Sequence, residues 1–143
     1  MGGGFPPPIK RAWPESCTQT GMSQPEMPIF TRTFDFLTWL LPVTNHFPRA
    51  QRHSFTQRLL NAAFDLREQL EAANHRMGRE RLEWLDSADR SLDRVRLYIR
   101  LAAKWGWLSS GQYQHVARMI AEIGRLLGGW KKATGWSTML CAT

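Results

Sequence analysis

Cysteine is nearly absent from this chain. Cys17 and Cys141 lie in opposite terminal segments, with no Cys-x-x-Cys pair and no Cys/His group, so neither a disulfide framework nor a zinc site is indicated and a reducing cytoplasm is the simplest compartment. Long apolar runs are missing too. The most apolar one, Phe36 to Val43, is broken by Thr38 and Pro42 and falls far short of the roughly 20 residues a membrane span needs. Lys10 and Arg11 are followed by no apolar stretch, so no secretory signal is visible, and no membrane is expected among the partners. Catalytic groupings are also lacking. His46, His53, His75 and His115 sit on separate elements, without a His-Glu-x-x-His pattern, a carboxylate-x-x-His pair or a phosphate-cradling Gly loop. No metal, no cofactor and no enzymatic activity are therefore expected.

What is abundant is arginine. Of the 19 Lys and Arg residues, 15 are Arg, and the formal charge is +7 with a pI near 10.3. A field of that sign favours polyanions, whether RNA, DNA or an anionic surface. The planar Arg fork suits bidentate phosphate contacts, although a base-composition bias toward Arg codons would produce the same count. Residues 1–27 sum to zero, Lys10 and Arg11 being offset by Glu15 and Glu26, so the excess belongs to the folded part.

Those first 27 residues hold Gly2, Gly3, Gly4, Pro6, Pro7, Pro8, Pro14 and Pro25, a composition that cannot offset its ordering entropy. They are expected to be a disordered leader, or sequence upstream of a start at Met22 or Met27. With 143 residues there is room for one core. From residue 28 to 132 the apolar spacing is helical and no period-2 stretch competes with it. The fold class is therefore all-α.

Helix one is predicted from Pro28 or Thr31 to Asn45, burying Phe30, Phe34, Leu37, Leu40 and Leu41, with a kink at Pro42. Pro48 is placed as the first residue of helix two, which runs to Asn74 with a seam of Phe55, Leu59, Ala62, Leu66, Leu70 and Ala73. Gly78 can take the left-handed conformation at the next turn. Helix three covers Arg79 to Trp105, about 40 Å at 1.5 Å per residue, with Leu82, Leu85, Leu92, Val95, Ile99 and Ala102 as its seam. Ser109 or Ser110 caps helix four, which buries Tyr113, Val116, Ala117, Ile120, Ile123, Leu127 and Trp130. Short turns between four amphipathic helices imply an antiparallel up-down-up-down four-helix bundle. Residues 133–143 are expected to form a flexible tail.

The sharpest candidate site is the stripe Arg96, Arg100 and Lys104, at i, i+4 and i+8 on helix three. It either contacts phosphates or consists of snorkelling arginines paired with neighbouring acids, with Lys104 as solvated surface. Arg49, Arg52 and Arg58 extend that footprint or serve solubility. The acids Glu83, Asp86, Asp89 and Asp93 read as surface partners of nearby arginines, with Asp89 and Asp93 assigned to Arg96. Lys131 and Lys132 read as cations complementing the end of helix four. Gly124, Gly128 and Gly129 each cost a helix interior about 1 kcal/mol relative to Ala. Gly124 and Gly128 at i, i+4 suggest a close helix contact, within the bundle or between subunits.

Three segments together resemble a known family: the helix-one block ending Phe47-Pro48-Arg49, the run from Leu92 to Ala102, and the run from Ala121 to Trp130. In order and spacing they are similar to the accessory variability determinant (Avd) of diversity-generating retroelements and its relatives encoded in ribosomal-RNA intervening sequences. The resemblance covers about residues 30–132. It implies a homopentamer of four-helix bundles with a basic surface, which binds the retroelement reverse transcriptase and its template RNA and has no catalytic activity. On that basis Arg96 and Arg100 correspond to contact positions, with Arg94, Lys104, Arg49 and Arg52 added from charge and placement. An intervening-sequence-type protein with a general RNA-binding or structural role is the alternative.

Overall fold

The computed structural model describes residues 3–4 and 26–141, so the expected leader lies almost entirely outside the described residues. Four helices follow in order: α1 Pro28–Thr44, α2 Gln57–Asn74, α3 Gly78–Lys104 and α4 Ser110–Cys141. Among the described residues there is no strand. Each helix packs on its sequence neighbours and α4 returns to α1, which closes a ring of four around one core. The fold is the all-helical bundle that the apolar periodicity implies.

The seams of α2, α3 and α4 lie largely where their spacing puts them, except on α3, where Leu82 stays partly exposed outside the core and Ala88 and Ser91 are buried instead. Leu59, Leu66, Leu70, Leu85, Leu92, Val95, Ile99, Val116, Ile123 and Leu127 are all sealed from solvent. Truncating such a Leu to Ala removes about 2–5 kcal/mol. Helix α1 departs from expectation. Phe34 is 64% and Leu41 44% exposed, while Ile29, Phe30, Thr33, Phe36, Leu40 and Thr44 face inward. The two threonines explain why the buried face was misread. Their hydroxyls donate to the carbonyls of Ile29 and Leu41, both at 2.8 Å, so a residue that scores as polar is buried with its hydrogen bond satisfied. Pro42 falls in the last turn of α1, where only Val43 and Thr44 follow within the helix; little helix remains for it to bend.

The start of the second helical stretch is irregular. Pro48 caps a 3-10 turn over Arg49–Gln51 instead of opening an α-helix, and a π-helical turn over Arg52–Thr56 leads into α2. A π turn inserts a residue and shifts the phase of everything before it, which apolar periodicity alone does not reveal.

Two turns depend on glycine. Gly78 has φ +60° at the start of α3 and Gly106 has φ +77° after its end. At Gly106 the amide of Trp107 reaches the Ala102 carbonyl at 2.9 Å and that of Gly106 the Ala103 carbonyl at 3.1 Å, the paired bonds of a Schellman C-cap. The chain then enters α4 through a reciprocal capping box. Ser109 Oγ accepts from the Gln112 amide at 3.1 Å, and Gln112 Oε1 accepts from the Ser109 amide at 2.9 Å.

Helix α4 does not stop near Lys132. It continues to Cys141, so residues 133–141 are helical where a flexible tail was expected. Thr134 is buried and donates to the Trp130 carbonyl at 2.9 Å, which anchors the extension. Lys131 is consequently a mid-helix residue and not a terminal cation. It bridges α4 to α3, with Nζ 2.8 Å from Asp86 and 3.1 Å from Asp89. The hydrogen bond to Asp86 is the main cause that holds the Lys131 ammonium above the usual lysine range, opposed by partial burial and reinforced by Asp89.

Candidate nucleic-acid interface

Antiparallel packing gives the bundle two ends. One joins the C-terminal half of α1, the start of the α2 stretch, the C-terminal half of α3 and the start of α4. Contacts across it include Phe47 with Trp107, Phe55 with Tyr98, and Trp39 with His115. Among the described residues the carboxylates are absent from this end. Between Asp35 and Asp65, and again between Asp93 and Glu122, the sequence has no Asp or Glu. The fold brings these two stretches side by side. They contain Arg49, Arg52, Arg58, Arg94, Arg96, Arg100, Lys104 and Arg118, eight cations and no acid. The rest of the chain from residue 28 has nine Lys and Arg against ten Asp and Glu. The +7 excess is thus a polar charge separation along the bundle axis.

A waist of carboxylates marks the boundary. Asp65 on α2 lies 3.4 Å from Arg94, Asp93 on α3 lies 2.7 Å from Arg96, and Glu122 on α4 lies 3.1 Å from Arg32 on α1. Beyond the waist, Arg49, Arg52, Arg58, Arg100, Lys104 and Arg118 are exposed and form no ion pair or side-chain hydrogen bond among the described residues. At the opposite end, Arg67, Arg79 and Lys131 are each paired with carboxylates, and Arg76 and Arg81 donate to backbone carbonyls.

The six residues singled out from the sequence separate accordingly. Arg100 and Lys104 are unpaired on α3, and Arg49 and Arg52 are unpaired at the start of the α2 stretch. Arg94 points the other way, toward Asp65 on α2, and also bonds the buried hydroxyl of Ser91 on its own helix, which in turn donates to Gln69 of α2 at 2.7 Å. Arg96 is held by Asp93, and its guanidinium fills the place a side chain at Gly124 would take. Asp89, assigned to Arg96 from spacing, pairs with Lys131 instead. Arg96 and Arg100 also line a groove of about 300 Å³ between α3 and α4 with Tyr113. Arg118 was missed, although the acid-free stretch containing it is visible in the sequence.

Chemistry beyond charge is sparse. Among the described residues no group of three or more His, Cys, Asp or Glu could hold a metal ion, and no helix is long and apolar enough to cross a membrane.

A bAvd-like family profile matches residues 27–134, which covers α1 to α3 and α4 as far as Thr134. The chain belongs to the bAvd-like family. The match ends near the buried Thr134, so the last two turns of α4 lie beyond the shared bAvd-like core. No curated protein matches the sequence. Among solved structures, a protein of unknown function from the S23 ribosomal protein family of Bacteroides thetaiotaomicron superposes with a TM-score of 0.67 at 14% identity, covering 73% of this chain and 96% of that one. At that identity the likeness concerns the bundle fold of the bAvd-like chain and nothing further.

Proposed function

We propose that this protein is the accessory protein of a diversity-generating retroelement, non-catalytic and cytoplasmic, which holds template RNA at its carboxylate-free end and engages the reverse transcriptase as a homo-oligomer, as a pentamer by the family resemblance. The observation that supports the reading is the segregation of charge. Six unpaired cations at one end, with no carboxylate among them, supply a footprint for a phosphate backbone, and membership of the bAvd-like family supplies the context.

Arg100 and Lys104, one turn apart and unpaired, are the positions expected to contact phosphates directly. Arg94 and Arg96, each occupied by an internal carboxylate, shape the surface and contribute less. Self-association is supported by the apolar side chains that the α1–α2 side leaves exposed, Phe34, Leu41 and Phe64.

The test is a salt titration of binding to single-stranded template RNA. Affinity should fall steeply with salt, with a log–log slope near 0.7 per phosphate contacted. Arg100→Ala with Lys104→Ala should lower that slope by about 1 to 1.5 and leave helicity intact. A flat salt response, or equal binding to anionic vesicles, would sink the reading. Capture of the reverse transcriptase together with one discrete RNA from the native host would secure the retroelement role. Capture of heterogeneous RNA without it would instead point to the intervening-sequence type.

A further inference from the structure

At the acid-free end, α3 and the start of the α2 stretch enclose an open cleft of about 690 Å³ lined by Gln51, Ser54, Phe55, Arg58, Tyr98, Trp105 and Trp107. Its aromatic wall is continuous. Trp105 and Trp107 have ring centroids 5.0 Å apart, and Phe55 stands edge-on to Trp105, Trp107 and Tyr98 at 5.4, 5.2 and 5.5 Å. Phe55, Tyr98 and Trp107 are half-buried, but Trp105 is 52% exposed. The left-handed φ of Gly106 turns the chain between the two tryptophans, and the π turn sets Phe55 opposite them.

We infer that this cleft receives an unstacked base of single-stranded nucleic acid, with Trp105 as the stacking platform and Arg58 on the adjacent phosphate. The inference rests on the proposed RNA-binding role and deepens it by naming where bases, rather than phosphates, are held. A half-exposed indole such as Trp105 is a group on which bases stack without sequence preference. Arg58, exposed and unpaired, lies on the cleft rim. Ser54 Oγ donates to Gln51 Oε1 at 2.8 Å, which leaves the Gln51 amide NH2 available to a base edge. Among the described residues no carboxylate lines the cleft, so they set no negative charge against a polyanion there. A protein helix seated in such a cleft would have to bring its own acids to Arg58 and would gain nothing from the absence of acids around it.

The experiment measures binding of the purified full chain to a labelled oligouridylate and to an abasic oligomer of equal length, across a range of salt. Wild-type protein should bind the base-bearing strand more tightly by about five- to a hundredfold. Trp105→Leu should remove most of that preference while keeping the salt slope. Trp105→Phe, which retains a ring, should restore part of it. If Trp105→Leu lowers helicity, Arg58→Gln on the exposed rim takes its place and should reduce both affinity and slope. Equal binding of the two strands by wild-type protein overturns the base-stacking cleft while leaving the charge-based RNA role standing. Absence of salt-dependent binding to either strand overturns both. Loss of reverse transcriptase capture by Trp105→Leu with unchanged oligonucleotide binding overturns it in favour of a protein ligand.

Discussion

Gly124 and Gly128 are one turn apart on α4 and differ in what lies over them. The Arg96 guanidinium occupies the position a Cβ at 124 would take, with a Leu92 methyl 3.6 Å away, while nothing lies within 4 Å of one at 128 or 129. Among the described residues, of these glycines only Gly124 therefore serves a close contact inside the bundle, and its neighbour is a side chain, not another backbone. Replacing Gly in a helix by Ala gains about 0.5–1 kcal/mol where space allows. Gly128→Ala should accordingly raise the melting temperature by a few degrees. Gly124→Ala should raise it less or not at all, because the guanidinium must move off Asp93. Equal gains at both sites in a thermal melt would show that Arg96 has no fixed place. Spacing at i, i+4 marked both glycines but carried no information on which one a neighbour covers.

Apolar periodicity identified each helix because burial repeats with the helical turn, and the seams of α2, α3 and α4 are largely as read. It failed where polarity and burial part company, at Thr33 and Thr44 of α1, and where the helical phase is broken, at the π turn over Arg52–Thr56. It also lost the last turns of α4, since Gly135, Ser137 and Thr138 are poor helix formers and the buried Thr134 that anchors them gives no apolar signal. Turn chemistry was more legible, because Gly78 and the Gly106–Ser109 link meet backbone requirements that few residues satisfy. Gly106→Ala places a Cβ at φ +77° and should destabilise by about 1–2 kcal/mol, read as a lower urea midpoint with unchanged slope. Wild-type stability in that variant would mean that the Schellman turn does not hold the α3–α4 link.

For the whole molecule, the net charge of +7 says less than its placement. With six unpaired cations beyond the waist and no acid among them within the described residues, the bundle is a dipolar object, and in the proposed homo-oligomer copies set with that end inward would line a common basic surface. Phe34 and Phe64, on the outer α1–α2 side, are the side chains expected to be covered by a neighbouring copy. On the proposed homo-oligomeric reading, Phe34→Asp together with Phe64→Asp should give a monomer in light scattering where the wild type is larger, while far-ultraviolet helicity stays constant. An unchanged mass would place the subunit contact elsewhere.

The sequence by itself determined the all-helical class, the number of helices, most of the core and the resemblance to the Avd proteins, since these depend on local periodicity and on the order of short motifs. It also contained both acid-free stretches, but 30 or more residues apart. Only antiparallel packing laid them together, sent Arg94 to Asp65 on α2 and Asp89 to Lys131 on α4, and left Arg100, Lys104, Arg49 and Arg52 unpaired, whereas the Arg96–Asp93 pair, three residues apart on one helix, was legible in the spacing. The aromatic cleft was likewise decided in three dimensions. Phe55 on the π turn, Tyr98 on α3 and the two tryptophans of the α3–α4 link come from separate segments, and their rings become one surface only when those segments are packed side by side.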